Sequence, residues 1–327
     1  MQVAGGSTTG DASTRLADVE VSRKRSGWCP WSVARLSVGA PASAITAPKF
    51  VCILGIARTG TNHLARILSD IPEIDSRREL FNPRRCWSMR PDELSELSRR
   101  SGKVFPCSPE DTQAVREVRR RPALMLDCLA DRMAPEKKIL CFKVFKDQLS
   151  MRQVRTAIIS RPDTIIVFIR RRPIDAYVSQ RKACLINTWQ SVDTTQIKVD
   201  IDAGRYIRWW RGVSKWYRGL EAACQSVNKR FHELSYEDDV DCAPAEAARR
   251  FCAMLERSGV GPLTVPESNP PVGLSKQDRN RDIADRVSNW AEFHHALVAK
   301  GCLDTAFAPF PHYQPTWWNR AYFRLRG

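Results

Sequence analysis

Three short apolar runs stand out along the chain: Phe50 to Leu54, Ile139 to Phe145 and Thr164 to Ile169. They are rich in β-branched and aromatic residues and stay apolar almost continuously, where a half-exposed strand would alternate. That pattern predicts strands buried on both faces. A fourth strand is predicted over 229–235. Between the runs, apolar positions recur at helical spacing. Helices are predicted over 91–101 and 109–120, each opened by a proline with acids close behind. Further helices are predicted from Pro173 to about Leu185, over roughly 202–226, from Pro244 to about Ser258, and over 282–299. Ile71-Pro72-Glu73 reads as a helix stop, Ser76 to Pro83 as a polar loop, and the Pro- and Gly-rich stretch 261–275 as another. Strands alternating with helices imply an α/β fold with a central parallel β-sheet covered by helices on both faces.

Composition narrows the partners. The chain has 327 residues, 43% hydrophobic and 27% charged, as soluble globular proteins do, with a formal net charge of +16. Such a balance favours anionic partners: nucleic acid, an acidic membrane or a polyanionic small molecule. The eleven cysteines include no C-x-x-C pair, and Cys52 and Cys141 fall inside the apolar runs. This argues for a reducing, cytoplasmic setting and against a disulfide scaffold or a zinc site. No run of 18 apolar residues provides a transmembrane helix, and no apolar segment follows the first basic residues as in a secretory signal. Residues 1–48, rich in Gly, Ser, Thr and Ala with a basic patch at Arg23-Lys24-Arg25, read as a flexible extension. Asp11, Asp18 and Glu20 count against a transit peptide. Residues 49–327 show no internal repeat and no second core, so they read as one domain.

Two stretches carry chemistry. Between the first strand and the helix after it lies Gly55-Ile56-Ala57-Arg58-Thr59-Gly60-Thr61-Asn62. A strand, a glycine-bearing turn and a helix N-terminus form a cradle of backbone N–H groups for phosphate. The spacing of Gly55 and Gly60 matches a nucleotide kinase loop, but Thr61 stands where that loop needs Lys. The third run ends in Arg170-Arg171-Arg172-Pro173-Ile174-Asp175-Ala176-Tyr177-Val178-Ser179. In a parallel sheet the strand C-termini form the ligand face, which places Arg171 there. Ser179, about two turns into the next helix, reaches that face only if a ligand lies along the helix.

Together the two stretches resemble the PAPS-dependent sulfotransferases, and most nearly the bacterial carbohydrate sulfotransferases of the Nod-factor and Stf0-like type. The resemblance extends through Glu79-Leu80-Phe81-Asn82-Pro83, Lys143-Val144-Phe145, Ser235-Tyr236-Glu237-Asp238, Lys276-Gln277 and Asn289-Trp290, covering 49–300 in matching order. It implies a P-loop-like α/β sulfotransferase domain over 49–327 that moves the sulfuryl group of PAPS to a hydroxyl acceptor, a carbohydrate or glycolipid. Charge then builds on the leaving phosphate, so cationic donors suffice and no metal need bridge. Arg58 is expected to neutralise the bridging oxygen, with Thr59, Gly60, Thr61 and Asn62 around the 5′-phosphate. Arg171 and Ser179 are expected on the 3′-phosphate and Lys276 over the nucleotide. The base histidine that related phenol and steroid enzymes carry on the second predicted strand is missing, since the stretch here is Lys143-Val144-Phe145. Glu79 is the expected general base, although its neighbours Arg77 and Arg78 also suit a surface ion pair; His63 is the other candidate. Lys143 and Lys146 are placed near the transfer site. The aromatic cluster Trp209, Trp210, Trp216 and Tyr217 reads mostly as core, with one ring available for sugar stacking. A P-loop kinase and a basic nucleic-acid-binding protein are the competing readings, and no nucleic-acid partner is expected. Oligomeric state stays open.

Overall fold

In the computed structural model, residues 49–189, 192–266 and 277–313 are described. The predicted strands form where the apolar runs lie: β1 Phe50–Gly55, β3 Ile139–Phe145, β4 Thr164–Arg170 and β5 Phe231–Ser235. One further strand, β2 Ile74–Ser76, falls in the segment read from sequence as helix stop and polar loop. Three residues are too few to show a period, and they pair only with β3, at the sheet edge. All five strands are parallel, in the order β2-β3-β1-β4-β5.

The continuous apolar character of β1 follows from its place. It lies between β3 and β4, with Cys52 opposite Phe142 on one side and Ile166 on the other. Phe50, Cys52 and Leu54 face one core layer while Val51 and Ile53 face another, so both alternating sets are buried. Fully burying a side chain of this size stabilises by about 1.5–3 kcal/mol. The first layer packs under α2 (Pro91–Ser101), α3 (Thr112–Arg120), α4 (Pro122–Asp131), α5 (Met151–Val154) with the π-helical turn Arg155–Ile159, and α7 (Ala203–Ser226). The second lies under α1 (Thr61–Ser69) and α8 (Pro244–Arg257). A third cluster joins α6 (Pro173–Leu185), the first turns of α7, α9 (Trp290–Ala299) and α10 (Asp304–Phe307).

Two helix predictions change. The helix expected over 282–299 begins only at Trp290, because Val287 leaves helical geometry to bridge Val199 in parallel. Helix α4 was not predicted; Pro122 opens it directly behind α3, and one charged stretch hides the break. The Pro- and Gly-rich loop bears out through residue 266, and 267–276 lie outside the described residues. Among the described residues no helix is long and apolar enough to cross a membrane, and the cysteines are free thiols.

β1 is the switch point of the sheet: the chain goes from it to β2 and β3 on one side and to β4 and β5 on the other. The crevice at the C-terminal ends of strands around such a point is where open α/β sheets hold ligands.

Candidate active site

Every strand sends a residue to that crevice from its C-terminal end. The turn after β1 is held by backbone strain and close packing. Arg58 has φ 72° and Gly60 φ 74°, both in the left-handed region that favours glycine. Gly60 is doubly required, because a Cβ there would come 2.5 Å from the Tyr236 ring. Thr59 is fully buried and its hydroxyl donates to the Ile56 carbonyl at 2.8 Å, so this side chain braces the turn. Helix α1 starts at Thr61 with no side-chain cap, leaving the first-turn N–H groups of Thr61 and Asn62 to receive an anion.

The three consecutive arginines after β4 serve three different purposes. Arg170 is buried, ion-paired with Glu221 on α7 and with Glu233 on β5 at 3.0 Å, and lies over the Tyr217 ring. Arg172 pairs with Asp175 in the first turn of α6, and Asp175 also holds the buried Arg286. Only Arg171 turns toward the cradle. It donates to the Arg58 carbonyl at 2.7 Å, stacks over Tyr236 at 4.1 Å, and its buried Nε–H has no partner among the described residues.

Arg58 brings the two sequence motifs together. Its Nε donates to the Ser179 hydroxyl at 2.9 Å, and its two terminal nitrogens reach the Trp189 carbonyl and the Gln277 side-chain oxygen. All of these acceptors are neutral. Among the described residues no carboxylate pairs with either Arg58 or Arg171. Burial, with the nearby Arg171 adding to it, pulls Arg58 down to about 10. Two adjoining guanidinium groups, part-buried and without counter-charge, beside an open helix N-terminus make an anion site. A nucleotide carrying phosphates fits these residues on three counts: the spare Nε–H of Arg171, the glycine-shaped cradle and the uncompensated charge.

A second group lies on the other side of β1. After β2 the chain keeps running beside β3, with Arg77 N–H on the Cys141 carbonyl at 2.7 Å, and this brings Glu79 level with Lys143. Leu80 and Phe81 are fully buried, Phe81 edge-on to Phe142, and they anchor the loop. One oxygen of Glu79 accepts from the Asn82 amide at 2.8 Å and the Gln148 amide at 2.7 Å. The other lies 3.6 Å from the Lys143 ammonium, which also bonds the Asn62 side chain at the cradle. Burial lowers Lys143 to about 8, against the opposing pull of Glu79. The alternative ion pairs of Glu79 do not form: Arg77 is taken by Asp75 and Glu93, and Arg78 lies toward the Trp87 ring.

Some expected residues lie elsewhere. His63 is half-buried in the first turn of α1, with Asp241 as the charge acting on it, and burial lowers its pKa. Lys146 turns to Asp147 at 2.6 Å. Lys276 lies outside the described residues, although its neighbour Gln277 reaches Arg58. Tyr217 is core, its hydroxyl on the Ile169 carbonyl, and Trp209, Trp210 and Trp216 pack partly buried against the core. Sequence reasoning passed over Gln148, whose only signal is the Asp-Gln pair closing a turn after β3, with Asp147 at φ 73°. The Tyr236 ring lies between Gly60 and Arg171, a placement with no local signal in the sequence.

The profile of the sulfotransferase family matches residues 48–258. A search of curated proteins finds no match. Among solved structures, the sulfotransferase domain from the curacin biosynthetic pathway aligns with 85% of this chain and 98% of its own, at 14% identity and a TM-score of 0.40. A sulfotransferase from Alicyclobacillus acidocaldarius covers 80% of this chain and 95% of its own, at 14% identity and a TM-score of 0.37. The sulfotransferase STF1 of Mycobacterium tuberculosis H37Rv covers 68% and 70%, at 12% identity and a TM-score of 0.35. At these scores the structural likenesses carry no argument about the site, and the family match rests on the sequence profile, which spans well over half the chain. The chain belongs to the sulfotransferase family.

Proposed function

We propose that the chain moves the sulfuryl group of 3′-phosphoadenosine 5′-phosphosulfate to a hydroxyl of a carbohydrate or glycolipid, in a reducing, cytoplasmic setting. The observation that carries this reading is the uncompensated pair of Arg58 and Arg171 at the Gly60 cradle, with Ser179 between the two motifs. In it, the N–H groups of Gly60, Thr61 and Asn62 hold the 5′-phosphate, with Thr59 bracing them, and Arg58 offsets charge on the leaving oxygen. Arg171 and Ser179 hold the 3′-phosphate, and Lys276 is a further nucleotide-binding residue. Glu79 takes the acceptor proton through the oxygen that its amide neighbours leave free. Lys143 stands between Glu79 and Asn62 and keeps positive charge beside the transferred group. The arginines and Lys143 supply the positive charge, so this reading needs no bridging metal. Residues 49–327 form the catalytic domain, with 1–48 as an extension.

The test is nucleotide preference. Adenosine 3′,5′-bisphosphate should raise the melting temperature far more than ATP–Mg²⁺ does. Arg171→Ala should weaken bisphosphate binding by about 1.5–3 kcal/mol, the scale of a lost charged hydrogen bond. Better stabilisation by ATP–Mg²⁺ would overturn the reading. Labelled sulfate transfer to a panel of sugars, glycolipids and small alcohols then identifies the acceptor.

A further inference from the structure

On three other helices, arginines at or near the surface are paired within their own helix. On α2, Arg99 and Arg100 hold Glu96; on α3 and its end, Arg120 and Arg121 hold Glu117; on α8, Arg249 and Arg250 hold Glu246. Helix α7 has no such pair among its exposed cations. Over its 24 residues the exposed positions are Arg205, Arg208, Arg211, Lys215, Arg218 and Gln225, so five of the six are cations. Their spacing of three, three, four and three residues keeps them on one side of the helix, opposite the buried side of Tyr206, Val213, Tyr217, Leu220 and Cys224. The helix's only acid, Glu221, is buried against Arg170.

Among the described residues none of the five cations enters an ion pair. At the first turn Asp202 caps the helix, its side chain accepting from the Arg205 N–H. Arg181 on α6 adds a further charge at the first turns, since Arg181, Arg205 and Arg208 all act on the Tyr177 hydroxyl. The result is a nearly single-file row of cations over about 20 Å, at about 1.5 Å of rise per residue. Holding like charges at this spacing is unfavourable without a counter-charge.

We propose that this row is a docking surface for a linear anionic polysaccharide carrying carboxylate or sulfate groups. Four of the five cations are arginines, whose planar forks pair with such groups two oxygens at a time. A bilayer fits less well, because no large hydrophobic side chain is exposed on α7 to enter it. Single-stranded nucleic acid fits less well, because Trp209, Trp210 and Trp216 pack against the core and leave no exposed ring for a base. The choice of polysaccharide over other polyanions rests on the proposed glycan acceptor, whose sulfated product carries the same anionic groups on sugar.

Binding is measured on the full chain without sulfuryl donor, so the outcome does not depend on catalysis. The probes are polygalacturonate, dextran sulfate, a 20-base-pair DNA duplex, and vesicles of one part phosphatidylserine to three parts phosphatidylcholine. Polygalacturonate or dextran sulfate should bind, and the triple variant Arg208→Glu, Arg211→Glu, Lys215→Glu should weaken that binding at least tenfold. Its bisphosphate affinity should be unchanged, which also shows that it folds. A control with equal charge change elsewhere, Arg66→Glu, Lys103→Glu, Arg116→Glu, should retain polysaccharide binding. Equal losses in the two triples would reduce the row to net charge and overturn the proposal. Tighter binding of the duplex or the vesicles, or no polysaccharide binding, would overturn it as well. Polysaccharide binding without any response to bisphosphate would leave the docking surface standing and remove the donor assignment.

Discussion

At the scale of single residues, the two groups around β1 differ in how they hold charge. Arg58 and Arg171 are unbalanced, whereas Glu79 and Lys143 face each other at 3.6 Å. If Glu79 takes the acceptor proton, Glu79→Gln should cut turnover by roughly 10²–10⁴, with bisphosphate affinity little changed. Near-normal turnover would remove it from that role. Lys143 makes a pH prediction. Its folded value of about 8 lies below the ordinary lysine range, so its charge is complete well below that pH and is lost as pH rises through it. Turnover should therefore show an alkaline limb near pH 8, and Lys143→Arg should move that limb upward. The stability sign is opposite. Between about 8 and the unfolded value the unfolded chain binds the extra proton, so folding stability from this group rises with pH. A rate profile flat through pH 9 would show that the charge is not used.

At the scale of elements, the turn after β1 depends on its glycine twice over. Gly60→Ala must adopt φ 74° and push a methyl to within 2.5 Å of Tyr236. The backbone strain alone is worth about 1–3 kcal/mol, and displacement of Tyr236 disturbs the stack on Arg171. Melting temperature and bisphosphate affinity should fall together; a loss of stability with unchanged affinity would show that Tyr236 does not position Arg171. This turn was legible in the sequence because it is local: a strand, two glycines and a helix start lie within Phe50–Ser69. Its partner at Arg171 was legible for the same reason. What the sequence did not show was selection among neighbours. Nothing near Arg170, Arg171 and Arg172 says which one is buried, because Glu221, Tyr236 and Asp175 make that choice and two of them lie far along the chain. The same holds for Gln148, whose amide meets Glu79 across 69 residues of sequence. The edge strand β2 was missed for want of length.

At the scale of the molecule, residues 310–313 close the far side of the sheet. Phe310 is buried and its carbonyl accepts from Arg170 at 2.9 Å, while His312 lies 2.9 Å from Glu221, with Glu233 at 3.9 Å. The hydrogen bond to Glu221 raises His312 above its ordinary value. A raised histidine contributes stability fully below about pH 6.5, and that contribution is lost as pH rises through the folded value. Urea unfolding should therefore separate wild type from His312→Ala at pH 6 and bring them together by pH 9. No separation at pH 6 would show that the segment is held without this charge. The Arg58 side chain has a related dependence on distant chain. Its acceptors at Ser179, Trp189 and Gln277 come 121, 131 and 219 residues later. During synthesis the cradle is therefore made long before it is completed. A growing chain can pair β1 with β3 and β4 well before Gln277 emerges, and until then Arg58 lacks one of its three acceptors.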